Sequence, residues 1–335
     1  MKYILVFLAL ISQVIYSQID TTRCGMGTNF IESFPPDYHL SAPQLGGYLA
    51  PATTPNGAYV RIVCIFAQFS GDNNDINSTD WPKNQLPNSN WINGFIGTDP
   101  NNPSSFVPGS LSDYYYQMSN HQNTITGYVY PNVVTINGSI SSDFGASNLA
   151  VLQQVDPNIN WTQFDKWDMS SSYHQYFNQT DGHVDAVYII WRNINTLWDG
   201  IGDLLLTDSI PIFTTHDGKK ISHRVPTIGM TVNAGRKINS DGTHNYSYRD
   251  VTLWILAHEY GHYLWGSGHD FEGAYCEAAA RRGLGLMACA YYGPLAMNPY
   301  EKYLLGYTTY TDIFYDQQGT LGDYLTNGNS YRIPI

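Results

Sequence analysis

The sequence predicts an α+β protein, and three stretches predict it. Val184 to Trp191 is rich in β-branched and aromatic residues and reads as a buried strand. Val251-Thr252-Leu253-Trp254-Ile255-Leu256-Ala257 is an apolar run that reads as one buried helix. Leu149 to Val155 reads as a second helix. Lys219 to Val232 reads as one or two further strands around Pro226. That proline suggests a sheet edge, where a missing N–H donor costs little. At 335 residues the chain can bury a full core, as one large domain or two subdomains. There is no internal repeat and no heptad pattern.

Composition narrows the partners. Charged residues make up 13 % of the chain, below the usual ~25 %. Acidic residues outnumber basic ones by 28 to 16, for a net charge of −12, and no basic stripe exists to neutralise phosphates, which argues against nucleic acid. Residues 1–17 read as a secretory signal peptide: Lys2, then the apolar run Ile4 to Ile11, then the small Ser17. That run is short for a transmembrane span, so a secreted protein without a membrane anchor is expected. Residues 18–57, with Pro35-Pro36, Gly46-Gly47 and Pro51, read as an N-terminal arm or short propeptide. Residues 71–109 read as a long surface excursion fit to shape a cleft or hold calcium. Asp165, Asp168, Asp181 and Asp185 form a second calcium candidate, with solvated surface acids as the plain alternative.

The chemistry lies at the end of the apolar helix, in His258-Glu259-Tyr260-Gly261-His262. Residues four apart share a helix face, so both imidazoles can serve one metal ion. Glu259 is one step around, within reach of water at that metal. Two ligands and a general base within five residues is the arrangement a zinc peptidase needs. The plain alternative is a helix with two ordinary histidines. Gly266 suits a left-handed cap, so the helix should stop there and a third ligand should follow the turn. His269 is the natural candidate, Asp270 competes with it, and Glu272 and Glu277 are more remote.

This stretch resembles the metzincin zinc signature, with one departure. The signature has glycine three residues after the second histidine and the third ligand three after that. Here Gly266 is four after His262 and His269 seven after, as if one residue were inserted, which leaves the third ligand open between His269 and Asp270. Gly283-Leu284-Gly285-Leu286-Met287-Ala288-Cys289 resembles the Met-turn, in which Met287 would form an apolar floor under the metal, and Tyr291 just beyond it is a candidate support for the oxyanion. From about residue 58 onward the chain is similar to the immune inhibitor A-like secreted metallopeptidases. Val60 to Phe69 resembles their opening strand, Ser110 to Ser119 their helix signature and Ile125 to Val129 the next strand. Asp181 to Ile190 resembles their central strand, and Asn298 to Tyr307 the helix after the Met-turn.

The resemblance implies a zincin-like (metzincin) fold. An N-terminal catalytic subdomain over 58–265 would carry a twisted mixed sheet and end in the zinc-binding helix; a smaller C-terminal subdomain over 266–335 would carry the Met-turn. An antiparallel edge strand would line the cleft and pair with a peptide substrate. The implied activity is that of a secreted, monomeric, zinc-dependent metalloendopeptidase. Zinc would sit on His258, His262 and His269, Glu259 would be the general base, and calcium would be a structural extra. The alternatives are a non-proteolytic zinc hydrolase, a glycan-binding or adhesion module on the same fold, or a gluzincin arrangement with Glu277 as third ligand on a short helix from Ala274 to Arg281. Four cysteines in an exported chain allow two disulfides. Cys276–Cys289 is favoured because it would pin the segment bearing Met287, leaving Cys24–Cys64; buried free thiols are the alternative. The family continues past the position of Ile335, so the chain is expected to be cut short relative to it.

Overall fold

The structure is a computed structural model. It describes residues 59–73, 80–89, 92, 96–99, 101–122, 124–138, 144–168, 179–192, 200–206, 210, 212–223, 226–234, 248–265, 286, 296–297, 299–304, 307–312 and 330–332. Its centre is a six-stranded, mostly parallel sheet. The strands are β1 (Tyr59–Phe69), β2 (Thr124–Val129), β3 (Val134–Ile136), β4 (Ala186–Trp191), β5 (Gly200–Ile201) and β8 (Ile228–Asn233). The order is β2-β1-β4-β8-β5, with β3 continuing beside the far half of β1. All pairings are parallel except β5 with β8. A ribbon of β6 (Ile212–Thr214) and β7 (Lys220–Ser222), bridged through Lys220 to His183 just before β4, and a parallel pair of β9 (Tyr310–Asp312) and β10 (Ser330–Arg332) form two further sheets.

Helices cover both faces, and the sequence of β1 shows why. Side chains alternate along a strand. Val60, Ile62, Cys64 and Phe66 enter one core, with helix α1 (Leu111–Met118) and helix α3 (Tyr248–Trp265) over it. Val63, Ile65, Ala67 and Phe69 enter the other, with helix α2 (Phe144–Val155) over it. A strand buried on both faces reads as a continuous apolar run, as β1 and β4 do. The α1 helix is started by Ser110, whose hydroxyl accepts from Asp113 N–H at 3.1 Å, while Asp113 accepts from Gly109 N–H at 2.8 Å.

The expected α+β content is present, and three expectations change. First, Lys219 to Val232 does form two strands, but Pro226 lies between them, and β8 is an inner strand flanked by β4 and β5. The edge is β5. Second, residues 71–109 are less of an excursion than their composition implies. Trp81 is buried edge-on against Phe66, and Gly97 joins the sheet through a bridge to Thr126. Third, Cys64 is a buried free thiol inside β1 in place of a bridge to Cys24, with its side chain in the core beneath α1 and α3. Burial pushes that thiol up to about 12 from the ordinary 9.0. A raised folded value means its contribution to stability is intact below about pH 9 and is lost as pH climbs towards 12. Iodoacetamide at pH 8 should leave Cys64 unmodified in the native protein and alkylate it in urea, as read by mass spectrometry; alkylation without denaturant would contradict the burial.

Cys24, Cys276, Cys289, the signal-like 1–17 and the arm 18–57 lie outside the described residues. Among the described residues no helix is long and apolar enough to cross a membrane.

Candidate functional site

The α3 helix carries the His258 to His262 motif on its last two turns. Its preceding turns face the core through Leu253, Trp254, Leu256 and Ala257. Two contacts fix where the motif falls. Tyr115 of α1 donates its hydroxyl to the Ala257 carbonyl at 2.6 Å, and its ring meets Tyr260 edge-on at 4.8 Å. On the other side β5 passes close enough that only glycine fits at position 200. A Cβ there would lie 2.5 Å from Ile255 Cγ2.

His258 is 5 % exposed and Glu259 2 %. The His258 Nδ1 lies 2.8 Å from the carbonyl oxygen of Leu286. A carbonyl only accepts, so Nδ1 carries the hydrogen and Nε2 presents its lone pair. Burial holds this imidazole down to about 4, against a smaller upward pull from the Leu286 carbonyl, so the ring is neutral at physiological pH. Glu259 accepts the Gly202 N–H at the end of β5, while its Oε2 is buried with no hydrogen-bond partner among the described residues. Burial pushes its carboxyl up to about 8, against a smaller downward pull from Gly202. A neutral imidazole with a fixed tautomer, and next to it in sequence a buried carboxyl oxygen without a partner among the described residues, is what a metal-and-water site requires of these two residues. His258 and Glu259 therefore fit one ligand and the base of a zinc site.

His262 lies one turn further along α3, and its side chain is outside the described residues. His269, Asp270, Glu272, Glu277, Met287 and Tyr291 are outside them too, as are Gly266 and the expected helix from Ala274 to Arg281. Leu286, which precedes Met287, is described: it is buried against His258 in the core shared with α3. Among the described residues no group of three or more His, Cys, Asp and Glu side chains gathers to hold a metal.

In the acidic group proposed for calcium, three of the carboxylates accept from protein donors. Asp185 is buried and accepts from the N–H groups of Lys166 and Trp167 at 3.0 Å. Asp165 accepts from Asp181 N–H and Gly182 N–H at 3.2 Å and pairs with Lys219 Nζ at 2.6 Å. Asp181 caps the His183 N–H at 2.8 Å. These carboxylates tie one loop to the start of β4.

Three contributors at the site escape a reading of the sequence alone: Gly202, Tyr115 and Glu301. Glu301, in helix α4 (Pro299–Leu304), is buried and accepts from Leu286 N–H at 2.9 Å. The only hint in sequence is that Tyr115 and Glu301 fall in the two helical segments singled out by resemblance. No family model matches this chain, and no curated protein matches it.

Proposed function

We propose that the chain is a secreted zinc-dependent metalloendopeptidase with a zincin-like (metzincin) fold, similar to the immune inhibitor A-like peptidases. The observation that carries this reading is that the His258 imidazole, protonated at Nδ1, is followed by a buried Glu259 whose Oε2 has no partner among the described residues. A mostly parallel sheet with one antiparallel edge strand running past that carboxylate is compatible with the same reading.

When bound, zinc supplies a Lewis acid that acidifies water and polarises a carbonyl. His258 offers Nε2 to it, and His262, one turn on, with His269 or Asp270, would complete the protein ligands. Glu259 takes the proton of the attacking water on Oε2 and delivers it to the departing amine, while Gly202 N–H steadies its other oxygen. The edge strand β5 offers backbone groups along which an extended polypeptide can align, so that backbone bonds supply affinity and pockets supply selectivity.

The test is metal content with cleavage. Protein lacking residues 1–17 should carry about one zinc per chain and digest casein. A chelator should stop digestion and zinc should restore it. His258→Ala should lower zinc content severalfold without loss of the far-ultraviolet signature of the fold. His269→Ala and Asp270→Ala, measured side by side, name the third ligand by which one loses the metal. Protein that binds no zinc, or that digests casein equally well with a chelator present, would sink the proposal. Zinc without cleavage would favour the non-proteolytic alternative.

A further inference from the structure

Glu301 and His258 hold the same residue from opposite sides. Glu301 Oε2 accepts the Leu286 N–H at 2.9 Å, and His258 Nδ1 donates to the Leu286 carbonyl at 2.8 Å. The two bonds belong to different peptide groups flanking one Cα, so what passes between them is position rather than polarisation. The Leu286 side chain is fully buried in the core that contains Leu256 and Tyr260. Glu301 itself is fully buried, on α4. A carboxyl group removed from water is costly and stays in a core only where protein donors meet it. Here a donor is the backbone of a single residue against the imidazole, 15 residues away in sequence.

Resting on the zinc reading, we propose that Glu301 is a positioning residue for the metal centre. By anchoring Leu286 it sets the carbonyl that fixes the ring plane and tautomer of His258. Partners behind a metal-binding histidine are typically worth about 10- to 100-fold in metal affinity, and Glu301 stands one step behind such a partner. An imidazole released from the Leu286 carbonyl can turn about its bonds and exchange its hydrogen between nitrogens. Part of its population then presents N–H, in place of a lone pair, to the metal.

The experiment uses wild type, Glu301→Gln, Glu301→Ala and, as a destabilised control away from this contact, Ile228→Val. Each is read three ways: the long-range nitrogen–proton spectrum of the imidazoles in metal-free protein, zinc affinity by competition with a chelating dye, and thermal midpoint. His258→Ala assigns the His258 signals. Wild type should show one His258 tautomer with hydrogen on Nδ1. Glu301→Gln, whose amide oxygen can accept the same N–H, should keep that tautomer and a near-wild-type zinc affinity. Glu301→Ala should show tautomer exchange and bind zinc about 10- to 100-fold more weakly. Ile228→Val should lose stability alone. If Glu301→Ala keeps both the tautomer and the affinity and loses only thermal stability, Glu301 is merely structural and the proposal is overturned. If Glu301→Ala does not fold, Glu301→Asp, one methylene short of the contact, is read by the same criteria. If wild type binds no zinc, the zinc reading fails, and the imidazole spectrum of the metal-free variants still decides whether Glu301 governs His258.

Discussion

Glu259→Gln should leave the protein folded and zinc-loaded while lowering kcat for peptide hydrolysis about 10³-fold. The side chain is buried on the helix that delivers His258, with one oxygen on the Gly202 N–H and Oε2 without a partner among the described residues. Glutamine matches its shape and can still accept from Gly202, so the loss isolates proton transfer. Metal affinity and KM should change little. A second readout confirms that the variant is folded for the reason given. In metal-free wild type, burial raises this carboxyl from the ordinary 4.5 to about 8. Between those values the folded protein holds a proton that the unfolded chain has released, so stability falls as pH rises through the window. Metal-free Glu259→Gln lacks that decline, and its denaturation midpoint should be flatter from pH 5 to 8. Retention of a tenth or more of the wild-type kcat would show that Glu259 is not the base.

Asp72→Ala should cost about 3–5 kcal/mol, the largest effect on stability expected away from the site. Arg192 follows β4 and is buried with Asp72, which follows β1; Nη1 pairs with the Asp72 carboxylate and Nε donates to the Trp81 carbonyl at 2.7 Å. These contacts bind the ends of two central strands to the segment bearing Trp81. Without Asp72 the guanidinium stays buried with its charge unmatched. A midpoint drop of roughly 4–7 °C follows for a chain of this size, measurable by differential scanning calorimetry. Asp72→Leu with Arg192→Met should recover much of the loss, since a buried pair is weaker evidence of net stability than of the cost of breaking it. A single variant that melts within 2 °C of wild type would show that the pair is hydrated in solution.

The strands and helices that frame the site were legible because each obeys one period. Val184 to Trp191 and the run before His258 are apolar by position and are buried by position. The edge was not legible. Ile228-Gly229-Met230-Thr231-Val232-Asn233 alternates like a strand with one wet face, yet every residue in it is buried. The polar face is dry because Thr231 donates to the Asp203 carbonyl at 2.8 Å and accepts from Asn148, while Gly229 leaves room for Leu204. Asn148 also takes the Trp191 indole N–H, so a polar hub replaces solvent. No local pattern announces such a hub, since its members are tens of residues apart. The acidic group around Asp165 was ambiguous for a similar reason: carboxylates spaced for a cation look the same in sequence as carboxylates spaced for backbone N–H groups. The candidacy of His258 and Glu259 was legible from their order alone, whereas Glu301 and Gly202 depend on where distant segments land.

The sheet is unevenly held. Both edges of β1 are paired, one by β4 and the other by β2 and then β3, and helices lie over both its faces. Its amides should be among the last to exchange with solvent deuterium, at rates that report the global unfolding free energy. At the opposite margin β5 engages the sheet through two residues, Gly200 and Ile201. Brief openings there require little, and their amides should exchange early. That margin leads into Gly202, which touches Glu259. The carboxylate thus sits where the framework yields most readily, on a helix that packs against β8 and against that same margin.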